Sequence, residues 1–113
     1  MPEFVGEVQL RNLRRVFRDG TSFVVEADAP DQRTHTQRVD DAVVNALGRM
    51  FAGRTVTVRE AADAVAMERD LDLPFSRGYK LDFFVQDALI ALCASGRADA
   101  NKVSRTYHYT IRG

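Results

Sequence analysis

Tyr79-Lys80-Leu81-Asp82-Phe83-Phe84-Val85-Gln86-Asp87-Ala88-Leu89-Ile90-Ala91-Leu92-Cys93-Ala94 is one unbroken helical pattern, and its surroundings decide the reading of the chain. Ser95-Gly96-Arg97 follows, where glycine supplies the left-handed residue that ends a helix. Val103-Ser104-Arg105-Thr106-Tyr107-His108-Tyr109-Thr110-Ile111 then reads as an alternating strand. A long helix closed by glycine and followed by a hairpin, its tip around Ala98 to Lys102, is the expected C-terminal third.

Upstream the pattern continues in helices. Asp40-Asp41 places two acids before an apolar run, which suits a helix start by capping and by the helix dipole. Ala42, Val43, Ala46, Leu47, Met50 and Phe51 follow as a buried stripe, and Gly53 ends the helix. Arg54 to Val58 is at most one short strand. Thr57 and Glu60 match a capping box for a second helix over 58–69. Pro74 cannot continue that helix, and Ser76 is the expected N-cap of the third, from Arg77 to Ala94.

The first forty residues read as β. Asp19-Gly20 is a hairpin turn signal, expected as type I′, between Leu13–Phe17 and Ser22–Glu26. Phe4–Leu10 is a third strand with Gly6 as a bulge, and 33–39 an edge strand or linker beyond the break at Ala29-Pro30-Asp31. Leu10, Leu13, Val16 and Phe17 also fit helical spacing, but the turn directly after them favours strands.

The totals describe one domain of α+β class, residues 1–39 a β unit and 40–113 a helical unit with a hairpin. The 113 residues carry 16 basic and 16 acidic side chains. Zero net charge argues against strong non-specific nucleic-acid binding, which leaves a basic footprint. The distribution is uneven: residues 1–40 carry −1, residues 41–76 carry −2 and residues 77–113 carry +3. No apolar run is long enough to cross a membrane, and no leader pattern opens the chain. Cys93 is the only cysteine, so no internal disulfide forms, and a reduced, cytoplasmic setting is expected.

The order helix, short strand, helix, turn, helix, hairpin resembles the winged helix-turn-helix superfamily over residues 40–113. The residues that carry the resemblance are Thr55 to Ala62, Val85 to Leu92 with Gly96-Arg97, and Arg105 to Tyr109. The segment from Glu68 to Ser76 is longer than the family's usual turn, and the N-terminal β unit is an addition. The resemblance implies a third helix in the major groove and a wing along the DNA backbone or minor groove. Carried onto this chain, the candidate DNA contacts are Arg77, Tyr79 and Lys80 at the helix start, and Arg97, Lys102 and Arg105 on the wing.

The third helix resists that role. Leu81, Val85, Ala88, Leu89 and Leu92 form one apolar face, and Tyr79, Phe83 and Ile90 lie almost opposite. Asp82 and Asp87 repel phosphate. Each large apolar side chain left in water forgoes about 1.5–3 kcal/mol of burial. The ridge Tyr79, Phe83, Ile90 is therefore a candidate interface, covered by the β unit, a second copy or another protein. Arg11, Arg14, Arg15 and Arg18 are the densest basic cluster, read as a solvated face beside Glu7, Asp19 and Glu26.

Nothing in the chain reads as catalytic. His35 and His108 are isolated, no metal-ligand spacing exists, and Cys93 has no local sign of activation. No cofactor is expected. The first functional expectation is a dimeric double-stranded-DNA-binding protein in transcription or mobile-element control. The second is a protein-interaction module of the same fold without DNA affinity.

Overall fold

The computed structural model describes residues 2–28 and 34–113. Ten elements follow in order: β1 (Glu3–Gln9), β2 (Leu13–Asp19), β3 (Ser22–Asp28), β4 (Thr34–Asp40), α1 (Asp41–Met50), β5 (Thr55–Val56), α2 (Val58–Ala66), α3 (Tyr79–Ala94), β6 (Ala98–Val103) and β7 (Thr106–Ile111). The class is α+β, with three helices and two antiparallel sheets, one ordered β1-β2-β3-β4 and the other β5-β7-β6. The break at Ala29-Pro30-Asp31 and the start of the edge strand at Arg33 lie outside the described residues.

The N-terminal sheet is a meander built by alternation. Val16 pairs with Val25, and Phe23 with Val39, on a face whose residues are buried. Phe4, Phe17 and Val24 stand in register on the opposite face. The register of β1 shifts between Phe4 and Gly6, the expected bulge. A Cβ at Gly6 would lie 2.9 Å from the Ala94 carbonyl oxygen, so only glycine lets β1 approach the end of α3 this closely. The Gly20-Thr21 turn differs from the expected type I′. Only Gly20 has positive φ (63°), and a I′ turn requires it at both central positions, so glycine at the first position gives the II′ arrangement.

The helices follow the apolar spacing with local corrections. In α1 the buried residues are Val43, Val44, Ala46 and Leu47, while Ala42 is exposed. Asp40 occupies the N-cap without a side-chain cap bond, because Ser22 Oγ donates to its carboxylate at 3.3 Å. Asp41 in the first turn instead holds Arg18 of β2. In α2 the capping box forms as expected: the Glu60 amide donates to Thr57 Oγ1 at 3.2 Å, and the Thr57 amide donates to Glu60 at 3.0 Å. The helix stops at Ala66, three residues early.

α3 starts at Tyr79 with Gly78 as N-cap, not after Ser76. The chain enters the helix through a φ of 148° that side chains rarely adopt, and Gly78 is where that is possible. Its end is a Schellman motif. Gly96 N donates to Cys93 O at 3.1 Å and Arg97 N to Leu92 O at 2.8 Å, with Gly96 at φ 78°. The hairpin tip is Ser104-Arg105, between the pair Val103 and Thr106, so β6 is longer than the sequence indicated.

α3 is the axis of the molecule. One side packs on α1 and α2, and the other lies against all four strands of the N-terminal sheet. Leu81, Phe84, Val85 and every residue from Asp87 to Leu92 are buried. At about 1.5–3 kcal/mol per large apolar side chain, this helix contributes more to the core than any other element. Among the described residues, no helix is long and apolar enough to cross a membrane.

Candidate nucleic-acid interface

The ridge Tyr79, Phe83, Ile90 is split between surface and core. Tyr79 is 70% exposed and Phe83 59%, while Ile90 is 0% exposed. All three, with half-buried Gln86, lie on one stripe of α3. The stripe is exposed at Tyr79 and Phe83, half-buried at Gln86 beside Tyr109 of β7, and enclosed at Ile90. Ile90 is therefore a core residue and not an interface residue; the chain itself covers it. Tyr79 and Phe83 remain outside as an edge-to-face pair, 6.5 Å between ring centroids.

The candidate cations divide in the same way. Arg77, Lys80, Lys102 and Arg105 are exposed. Among the described residues, Arg77, Lys80 and Arg105 make no hydrogen bond or ion pair, and Lys102 stands 5.8 Å over the Tyr107 ring on the neighbouring strand. Arg97 belongs elsewhere. Its guanidinium donates to Asn45 Oδ1 of α1 at 2.9 Å, and a Cβ at Gly48 would lie 2.7 Å from it. It ties the end of α3 to α1 and is half-buried, so it is corrected from a DNA contact to a structural residue.

Of the N-terminal arginines, Arg14, Arg15 and Arg18 are engaged, while Arg11 is exposed and makes no hydrogen bond or ion pair among the described residues. Arg18 is bound through both guanidinium nitrogens to Asp41 and lies 5.0 Å over the Phe23 ring. The Asp41 hydrogen bond holds its pKa above the ordinary value. Arg15 lies 3.9 Å from Glu7, as expected, but Asp19 pairs with Arg38 at 2.9 Å. Arg14 reaches across to α3 and meets Asp87 at 3.4 Å.

That last pair was hidden in the sequence. Asp87 is 8% exposed, not a surface acid facing phosphate. Burial raises its pKa from 3.8 to about 7, against the opposing effect of Arg14. Tyr109 of β7 belongs to the same polar pocket between the sheets. Burial pushes its phenol up to about 12, with Gln86 acting the other way. Arg14 Nε is buried there without a partner. The available signal was the helical wheel. Asp87 falls between Phe84 and Ile90 on a helix that is apolar all round, where any polar side chain must be enclosed.

The geometry brings the open end of α3 beside the hairpin. Arg59 in the first turn of α2 lies 3.8 Å from Asp82 in the first turn of α3. β5 runs into α2 after one residue and pairs with β7. His108 on β7 is close enough to Glu60 to act on its carboxyl, which the Thr57 backbone and side chain hold below its ordinary pKa. Lys102 sits one pair further out, beside Tyr107. The first turn of α2 thus separates two cationic edges, Arg77 and Lys80 on one side and Lys102 and Arg105 on the other.

Other chemistry is sparse. Among the described residues, no three His, Cys, Asp or Glu side chains come together as metal ligands would. Cys93 is half-buried, and burial raises its thiol to about 12, which leaves it protonated and inert at neutral pH. No family model, curated protein or solved structure matches this chain.

Proposed function

We propose that the protein is a DNA-binding winged helix that grips phosphates with the start of α3 and with the β6–β7 hairpin as its wing. The element order α1-β5-α2-α3-β6-β7 and the sheet order β5-β7-β6 support the winged-helix reading. The observation that carries the DNA reading is the division of the cations. Arg14, Arg18, Arg38, Arg59, Arg97 and Arg112 are each bound to an acid or amide of the chain. Among the described residues, Arg11, Arg49, Arg54, Arg69, Arg77, Lys80, Lys102 and Arg105 make no such pair, and of these Arg77 and Lys80 sit at the start of α3 while Lys102 and Arg105 sit on the hairpin. Unpaired cations at the start of α3 and on the hairpin give those two segments a local positive charge that zero net charge conceals. Pairing with Arg59 also offsets Asp82, the acid nearest the proposed contact.

Gel shifts of random duplex DNA at two salt concentrations test this. Binding weakens steeply with salt, and Lys102→Ala with Arg105→Ala weakens it on every sequence alike. No detectable binding to either duplex or single-stranded DNA at low salt retires the proposal.

A second reading rests on one observation, the exposed Tyr79–Phe83 pair, which also fits a protein partner or a second copy. With Ile90 covered from within the chain, that surface is reduced to two rings. Sedimentation that shows a complex dissolved by Phe83→Asp supports this reading over the first. Control of transcription or of a mobile element is the cellular role that the DNA reading fits.

A further inference from the structure

We infer that the open end of α3 binds unpaired bases, so that the protein prefers single-stranded or frayed DNA over intact duplex. This rests on the DNA reading above and gives it a substrate class.

Three observations carry it. The first is steric. A helix with its side chains is about 10–12 Å across and fills the major groove, which is about 12 Å wide. A groove-reading helix needs its outward face free along its length. Here the stripe is free only from Tyr79 to Phe83, a rise of about 6 Å; Gln86 is half-buried beside Tyr109 and Ile90 is enclosed. A helix enclosed by its own chain after one turn of this face cannot lie along the groove.

The second is chemical. Base edges in a duplex are read by Arg, Lys, Asn, Gln, Asp or Glu. The exposed positions of this stripe are Tyr79 and Phe83, with Lys80 on the flank, while Gln86 is half-buried against Tyr109. Aromatic rings have nothing to bond at a paired base edge, but they stack on bases that are splayed out.

The third is electrostatic. Arg77 precedes the aromatic pair and Lys80 lies within it, one turn from Phe83. Lys102 and Arg105 stand across the first turn of α2. Aromatic platforms between phosphate-binding cations are the arrangement that single-stranded nucleic acid requires. A hydrophobic protein partner gains nothing from four flanking cations, which it would have to desolvate.

The test is fluorescence anisotropy with three labelled probes of equal length: a strand, its duplex, and the duplex with a single-stranded overhang. The strand and the overhang bind at least tenfold tighter than the duplex. Phe83→Ala lowers affinity for the strand roughly 5- to 150-fold and leaves duplex affinity within twofold. Phe83→Tyr keeps the affinity, whereas Phe83→Leu, apolar but without a π face, loses it. Phe83 is exposed, so these variants retain the fold, which circular dichroism checks. Equal affinity for strand and duplex, or an equal loss on both with Phe83→Ala, overturns the inference and leaves the DNA reading standing. No binding to any probe at low salt overturns both.

Discussion

Asp87 gives the sharpest quantitative prediction, because its burial couples the fold to pH. Its carboxyl titrates at about 7 in the folded protein, raised from 3.8 by burial. Its side chain is 12% exposed, so little solvent screening reduces the effect. A folded pKa above the unfolded one means that the fold favours the protonated acid. Its stabilising contribution is complete below about pH 4, where both states hold the proton. It is lost as pH rises towards 7, because the unfolded chain ionises while the folded one resists. The slope approaches about 1.4 kcal/mol per pH unit, and the loss between pH 5 and pH 8 is about 2–3 kcal/mol. Asp87→Asn keeps the shape and removes the titration. Urea denaturation at pH 5, 6, 7 and 8 measures this directly. Wild type loses about 2–3 kcal/mol more than the variant across that range. Arg14→Ala, which removes the only opposing cation at 3.4 Å, moves the midpoint of the wild-type decline to higher pH. An Asp87→Asn protein with the wild-type pH profile refutes the reasoning, since among the described residues the fold moves no other group into this window.

Other perturbations test the packing. Gly6→Ala forces β1 off the Ala94 carbonyl and costs about 1–3 kcal/mol in chemical denaturation; an unchanged midpoint would mean that the sheet does not sit on the end of α3. Thr57→Ala removes the reciprocal cap of α2, costs about 0.5–2 kcal/mol and returns the Glu60 carboxyl towards its ordinary pKa in an NMR titration. Ile90→Asp buries a charge beneath the sheet and leaves no cooperative unfolding transition, whereas Phe83→Asp on the same stripe changes stability by only about 0.5 kcal/mol. Equal effects of the last two in thermal melts would contradict the split of that stripe.

Local chemistry made most of the fold legible. The Thr57–Glu60 capping box, the Gly96 helix end, the Gly6 bulge and the Gly20 turn each rest on residues a few positions apart, and each forms. The misplaced boundaries have backbone causes. Ser76 is chemically a better cap than Gly78, but the chain needs a φ of 148° to enter α3. The hairpin tip turns at Ser104, a non-glycine residue with φ 59°, which no turn rule selects.

The site was harder to read because its parts meet only in three dimensions. Arg14 and Asp87 are 73 positions apart, and Arg97 reaches Asn45 across 52. Periodicity identified a second apolar face on α3 but not the point where the rest of the chain stops covering it. That point makes Ile90 core and leaves Phe83 as surface. Nor does composition show which arginines are paired; the fold engages Arg14, Arg18, Arg38, Arg97 and Arg112 and leaves Arg77, Lys80 and Arg105 among the unengaged.

The salt dependence of DNA binding tests the central claim most directly. Four phosphate contacts from Arg77, Lys80, Lys102 and Arg105 give a slope of log K against log salt of about −3 to −4. Replacing all four with alanine brings the slope close to zero while the fold persists, because none of them carries a structural hydrogen bond or ion pair. A wild-type slope near zero, or a steep slope that survives the fourfold replacement, contradicts the account.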